Sequence, residues 1–229
     1  LARRQRQMCI RDRQPLWQQG VLTAIPCAGS PDATRSHFEA QHHWEIGIPG
    51  KNGASPGWLN TLAGLRHAEA LGVGEANPLI LAGSTPVQLV PKGQAATRQG
   101  ALGDARTRDA VMSLYAGDDT LSKTFRAGAQ SRMETAKALS EDEMQAQDMA
   151  SNAMASRKEM AAADNGAGSA KGLLLDAQHL NTLMRQNRNL RLGFLSAGGW
   201  DTHAKEAPGG GRLGNLLAAL DDALATLQN

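Results

Sequence analysis

Apolar and polar residues alternate along the chain in blocks that predict short strands separated by helices. Four apolar runs, each bordered by glycine, proline or polar residues, have the length and composition of strands. These runs cover residues 21–25, residues 79–82, Val87–Val90 and Leu190–Leu195. The second and third runs lie close together, so we expect a hairpin or two neighbouring edge strands there.

Amphipathic stretches predict the helices between these strands. Ser36 with Glu39 forms a capping box at the start of one helix, and Ser140 with Glu143 forms another. The second capping box begins a stretch rich in alanine and methionine. We expect this stretch to be exposed, because its apolar residues form no continuous face. The predicted helices cover residues 15–19, 36–47, 58–71, 104–116, 121–136, 140–163, 171–185 and 213–227.

This order of elements predicts a layered α/β domain with a central sheet over residues 14–229. The helical residues 104–163 are expected to form a cap or a side layer of that domain. Residues 1–13 differ from the rest, because they contain five arginines and no apolar period. The string CIRDR in this segment resembles translated sequencing-adapter sequence, so we interpret residues 1–13 as an artefact or a disordered start and exclude them from the fold.

Composition narrows the classes of protein that the chain can represent. At 229 residues it can form one domain or two small ones, and aromatic residues at 3% leave its core to leucine, alanine and methionine. A net charge of +2 indicates no nucleic-acid partner, since such a partner requires a clustered basic face. No apolar run reaches the length of a membrane span. The two cysteines form no C-x-x-C motif and indicate no compartment.

The first candidate site follows the predicted strand Leu190–Leu195. Gly198 and Gly199 end this apolar run, and Asp201 and His203 come directly afterwards. A carboxylate and an imidazole beyond the carboxyl end of a buried strand lie where α/β sheets place their ligands, and both bind divalent metals such as zinc. The alternative is that Asp201 caps a turn and His203 is a surface residue, because an isolated Asp-x-His motif has low specificity.

The second candidate site lies at the start of the helix of residues 36–47. Ser36, or Thr34 as the alternative, places a hydroxyl beside free backbone N–H groups and the positive end of the helix dipole, which favours an anion. Such a hydroxyl can attack a phosphate or sulfate ester, and Arg35 could hold an oxygen of the anion. The simpler interpretation is that Ser36 only caps the helix, which is the commonest role of serine in this position.

Three motifs together resemble the bacterial domain-of-unknown-function family 1501. They are T-R-S-H-F-x-A-Q-x-x-W-x-x-G, then P-G-W-L, and later G-G-W-D-T-H before a leucine-rich helix. The resemblance covers about residues 14–229 and implies an alkaline-phosphatase-like α/β/α sandwich with a mainly parallel sheet. It implies that Ser36, or Thr34, is the nucleophile and that Asp201 and His203 bind a divalent metal, either zinc or a calcium-like ion. It also implies a small anionic ester as substrate and a periplasmic or secreted location.

Members of this family also carry an export signal, a Gly-Gly-x-Asp-Gly strand and a Thr-Asp-His-Gly motif, and these 229 residues contain none of them. We therefore expect the chain to be the middle of a longer protein, and its two ligands to hold a metal poorly by themselves. Two functional hypotheses follow. One is a fragment of a metal-dependent phosphate or sulfate ester hydrolase. The other is a non-catalytic secreted or binding module, or an inactive truncated product.

Overall fold

The structure, a computed structural model, describes residues 14–23, 25, 29, 36–48, 55–74, 76–149, 172–198, 200 and 212–228. It is a mixed α/β fold, as the order of elements predicts. The helices and strands are α1 Gln14–Gln18, α2 His37–Ile46, α3 Trp58–Leu65, β1 Glu69–Val73, β2 Val87–Val90, α4 Ala105–Leu114, α5 Thr120–Met149, α6 Leu173–Gln186, β3 Leu190–Leu195 and α7 Arg212–Gln228. Short 3₁₀ turns lie at Leu79–Leu81, Gly93–Ala95 and Gly100–Gly103.

The described strands form one parallel sheet in the order β2-β1-β3. Ala70 of β1 pairs with Val87 on one side and with Leu192 on the other. The first of the described strands therefore lies between the other two, with all but its first residue buried. Between two parallel strands the chain must return to the end of the sheet at which the first strand began. Helices or turns on the two faces of the sheet provide these connections.

Helices α5 and α6 cover one face of the sheet. Successive side chains of a strand point to opposite faces, and Leu71 and Val73 of β1 point toward these two helices. Leu139 of α5 and Leu180 of α6 belong to the same cluster, and Leu71 and Leu139 are almost fully buried. The main apolar core of the described residues therefore lies between the sheet and the two long helices.

Helix α3 and the 3₁₀ turn Leu79–Leu81 cover the opposite face. Ala70 of β1 packs there with Leu59 and Ala63 of α3 and with Leu81 of the turn. A third cluster joins α7 to α6 through Ala177 and Ala223, next to the end of β3. The result is three layers, with helices on both sides of a small parallel sheet.

Two of the predicted strands are wrong. Residues 21–23 form no strand, because the backbone N–H groups of Val21 and Leu22 donate to the carbonyl of Leu16 and close a turn after α1. Residues 79–81 form a 3₁₀ turn, in which the N–H of Leu81 donates to the carbonyl of Pro78. The predicted hairpin is therefore wrong too, and β2 pairs in parallel with β1.

Two predicted helix boundaries are also wrong. The helix predicted over residues 58–71 ends at Leu65, and its last predicted turn belongs to the central strand β1. His67 lies between the two elements in the left-handed region, at φ 47°. The capping box at Ser140 is wrong as well, because α5 runs through it without a break and the Ser140 hydroxyl donates to the carbonyl of Lys137 within the helix.

Candidate functional site

An open cleft of about 360 Å³ lies at the carboxyl ends of the three strands. The chain leaves β1 toward the α3 face, where Ile80 and Leu81 are buried. It leaves β3 toward the other face, where Ala197 packs against α6 and α7. Neighbouring parallel strands whose connections leave to opposite faces open a crevice between them, and α/β proteins bind their ligands in such crevices.

Residues that follow all three strands line this cleft. Its lining residues are Val73, Gly74, Ala76, Pro78, Lys92, Phe194 and Ser196. Lys92 is the charged residue among these lining residues, and its Nζ donates to the carbonyl of Ser196 at 3.4 Å. The contact joins the end of β2 to the end of β3 across the mouth of the cleft. The described lining thus combines four apolar side chains and one hydroxyl with one cation, an arrangement that suits an organic anion.

Two long helices hold the segment that carries Lys92. The buried carboxylate of Asp176, on α6, accepts a hydrogen bond of 2.7 Å from the N–H of Gly93. Arg132, on α5, donates to the carbonyls of Ala95 at 2.6 Å and Ala96 at 3.0 Å. Gly93 adopts φ 57°, a conformation that a residue with a Cβ rarely takes. The position of Lys92 is therefore fixed from two sides of its loop.

The strand β3 leads from the cleft to the predicted metal ligands. Ser196 lines the cleft, and beyond it the indole N–H of Trp200 donates to the carbonyl of Ala197 at 2.9 Å. Asp201 and His203 come next in the sequence and lie outside the described residues. Their predicted role stays a prediction, as does the expectation that the chain binds a metal.

Ser36 lies at the N-cap of α2, as the capping box predicts. Its hydroxyl oxygen accepts a hydrogen bond of 3.3 Å from the N–H of Glu39. At the other end of α2, the carboxylate of Glu45 accepts a hydrogen bond of 3.0 Å from the N–H of Ile80 and so fastens the helix to the turn beyond β1. Thr34 and Arg35 lie outside the described residues. Whether Ser36 also acts as a nucleophile stays a prediction.

The P-G-W-L motif has a structural role. A Cβ at Gly57 would lie 2.2 Å from the backbone of Ile80, so only glycine allows α3 to begin against this turn. The buried amide of Asn60 donates to the carbonyls of Leu81 and Thr85 and accepts from the N–H of Thr85. These bonds shape the connection from β1 to β2, which forms one side of the cleft.

Sequence reasoning missed Lys92 and its cleft. The signal was a lysine followed by glycine directly after an apolar run, in Val90-Pro-Lys-Gly93. This signal has no visible meaning if the two middle runs form a hairpin or two neighbouring edge strands, because neither interpretation predicts that Lys92 follows a strand paired in parallel with β1 and lies beside the end of β3. Within the described ranges, three histidine, cysteine, aspartate or glutamate side chains nowhere come together in a group that could hold a metal ion. In the same ranges, each helix is too short or too polar to cross a membrane.

Comparison with known protein families gives one match, which extends over residues 25–229 and so covers nearly all the described structure. The matching family is described as "Protein of unknown function (DUF1501)". The chain belongs to DUF1501. The match agrees with the resemblance that its motifs indicate, and it includes the segments of Ser36, Lys92 and Asp201. Neither the curated proteins nor the solved structures contain a match to the chain.

Proposed function

We propose that this DUF1501 chain belongs to a metal-dependent hydrolase of phosphate or sulfate esters with an alkaline-phosphatase-like fold. One observation carries the proposal, namely the cleft at the carboxyl ends of β1 and β3 where the connections separate. The sequence Gly198-Gly-Trp-Asp-Thr-His203 follows β3 directly from the wall of this cleft. A pair of ligands thus follows the strand end where an α/β sheet binds its substrate.

Asp201 and His203 have the donor chemistry of a metal site. A carboxylate oxygen and an imidazole nitrogen both bind zinc, and carboxylates also bind calcium-like ions. Zinc usually takes four ligands, so these two residues form part of a set. A divalent metal, when bound, supplies positive charge at the ester and lowers the pKa of a hydroxyl nearby.

The remaining roles belong to residues at the start of α2. Ser36, with Thr34 as the alternative, is the proposed nucleophile. Its oxygen forms the new bond to phosphorus or sulfur as the bond to the departing alcohol breaks, its hydroxyl proton passes to water, and the departing alkoxide takes a proton from water. A water molecule then attacks the phosphorus or sulfur of this seryl ester, which releases phosphate or sulfate and restores the Ser36 hydroxyl. Arg35 and the first N–H groups of α2 hold the oxygens of the anion. The reaction requires Ser36 to exchange its capping bond with Glu39 for contact with the ester.

The test compares single variants of the purified protein. We expect Asp201→Asn and His203→Gln to lose bound zinc, measured by mass spectrometry of the metal. We also expect both to hydrolyse 4-nitrophenyl phosphate and 4-nitrophenyl sulfate at least about 10²-fold more slowly, because the metal stabilises charge in the transition state. The matched control is Asp109→Asn on the exposed surface of α4, whose side chain is 78% exposed. Full activity in either site variant would overturn the proposal.

A non-catalytic binding module is the second candidate. Four aromatic side chains on the first three helices are exposed, and Trp17 and Phe38 reach 56% and 86%. Trp44 and Trp58 are the other two. Exposed apolar groups of this size often mark surfaces that bind other molecules. A protein with an intact metal complement and no hydrolysis of either ester would favour this candidate. For both candidates the proposed location is the periplasm or the extracellular space, to be checked by cell fractionation.

A further inference from the structure

We propose that the cleft is the substrate subsite, in which Lys92 binds the oxyanion of the ester and the apolar walls bind its organic group. The substrate class is therefore small monoesters of apolar alcohols, such as aryl phosphates or aryl sulfates. This inference rests on the proposed hydrolase, because it specifies which ester that enzyme accepts. It concerns residues of β1, β2 and β3 to which the sequence motifs assign no role.

The charge of Lys92 is placed to meet an anion. An ammonium group has three N–H donors, so Lys92 can donate to Ser196 and to an oxyanion at the same time. The contact with Ser196 is long, at 3.4 Å, so a charged oxygen would be a stronger partner than this carbonyl. Lys92 is the charged side chain in the described lining, and Glu75, between Gly74 and Ala76, lies outside the described residues.

The walls favour an apolar organic group. Four of the seven described lining residues have apolar side chains, namely Val73, Ala76, Pro78 and Phe194. Ser196 adds one hydroxyl. A sugar or another polyhydroxylated alcohol would lose its hydrogen bonds to water against such walls without replacing them. An aromatic ring would instead bury apolar area and could pack against Phe194.

The volume limits the size of that group. About 360 Å³ lies near the lower end of ligand pockets, which span roughly 300–1,000 Å³. An oxyanion with one aromatic ring fits this space, whereas a nucleotide or a polymer would extend beyond it. The cleft is open to solvent on one side, so the ester bond does not have to be enclosed by the lining.

Asp176 is a positioning residue for this subsite. Its buried carboxylate holds the N–H of Gly93, the residue after Lys92, at 2.7 Å. Replacing it with asparagine keeps an acceptor of the same shape but removes the charge that makes the bond strong. We therefore expect Asp176→Asn to weaken binding of the anion without removing the cation itself.

The experiment measures binding separately from hydrolysis. The full chain is titrated by calorimetry with phenylphosphonate, methylphosphonate and benzenesulfonate, whose P–C and S–C bonds are not hydrolysed. We expect phenylphosphonate to bind about tenfold more tightly than methylphosphonate, because its ring buries apolar area. Lys92→Met should weaken phenylphosphonate binding about tenfold, allowing for the exposure of the lysine. Lys92→Arg should restore most of it, and Lys123→Met, on the exposed surface of α5, should leave it unchanged.

The outcomes separate this inference from the proposed function. Binding that depends on Lys92 and on the phenyl ring supports the subsite, even if no ester is hydrolysed and the hydrolase proposal fails. Hydrolysis of aryl esters with the same KM in Lys92→Met and the parent overturns the subsite and leaves the hydrolase standing. Equal affinity for phenylphosphonate and methylphosphonate overturns the apolar part of the inference. A comparison of phenylphosphonate with benzenesulfonate shows whether the phosphoryl or the sulfuryl group is preferred.

Discussion

His179 lies between α5 and α6 with its side chain almost fully buried, and neither ring nitrogen has a hydrogen-bond partner among the described residues. Its Nε2 is 3.7 Å from a carboxylate oxygen of Glu143 on α5. Burial lowers the pKa of His179, and the negative charges of Glu143, Asp176 and Asp142 oppose that effect. The neutral imidazole is therefore the form that the folded protein favours.

Because of this environment, we expect the protein to lose stability as the pH falls below the ordinary pKa of histidine. The unfolded chain takes up a proton at His179 near pH 6.5, whereas the folded chain resists it. The free energy of unfolding should therefore fall as the pH drops below 6.5, until the lowered pKa of the folded state is reached. The loss is at most about 1.4 kcal/mol per pH unit. Urea unfolding at pH 7.5 and pH 5.5 measures it.

The variant His179→Leu should flatten this pH dependence, and His67→Asn, at an exposed histidine, should keep it. Asp104 and Asp119 should not contribute to the difference in the free energy of unfolding between the two pH values. Hydrogen bonds from Thr107 and Ser122 lower the pKa of these two carboxyl groups, so they titrate below the range compared. Equal stability of the parent protein at the two pH values would contradict the prediction.

The sequence predicts the helix ends that have a capping residue or a glycine beside them. Helix α2 begins at the Ser36 cap and ends at Gly47, and α4 begins at Asp104, whose carboxylate accepts the N–H of Thr107 at 2.7 Å. The boundary between α3 and β1 was missed, because the run from Trp58 to Leu71 is apolar enough for a helix, and pairing with β2 and β3 decides otherwise. Tertiary contacts override local pattern at such positions.

The contrast between two apparent caps can be tested directly. Asp104→Ala removes a cap that bonds to the backbone of α4, so we expect a lower melting temperature. Ser140→Ala should cause no loss, since Ser140 lies inside the continuous helix α5 and alanine is the better helix former. Both melting temperatures are measured by circular dichroism under the same conditions. A loss in Ser140→Ala as large as in Asp104→Ala would show that a helix does begin at Ser140.

At the scale of the whole molecule, the alternation of elements predicted a layered α/β fold, and the structure confirms that level of description. It could not predict the strand order, because β1 was hidden inside a predicted helix. The candidate site could likewise be predicted only in part. The motif around Asp201 predicts the end of β3, whereas the cleft forms only when β1, β2 and β3 lie side by side.

A single core residue should report on the packing of the sheet against α5 and α6. Leu71, in the central strand, is fully buried and packs with residues of α5 and α6. Leu71→Ala should lower the free energy of unfolding by about 2–5 kcal/mol, the usual cost of such a cavity. Leu114→Ala removes the same atoms from a side chain that is 79% exposed, so its effect should be small. Hydrogen exchange should show faster opening of α6 in the first variant only.

The central position of β1 also has a consequence for biosynthesis. One partner of Ala70 is Val87, which is translated almost at once, but the other is Leu192, which follows 122 residues later. At about 5–20 residues per second, a ribosome needs on the order of ten seconds to supply it. During that interval one edge of the nascent central strand has no neighbour, and an unpaired edge is where chains associate wrongly. The order of the strands therefore leaves this edge open to wrong association until β3 emerges from the ribosome.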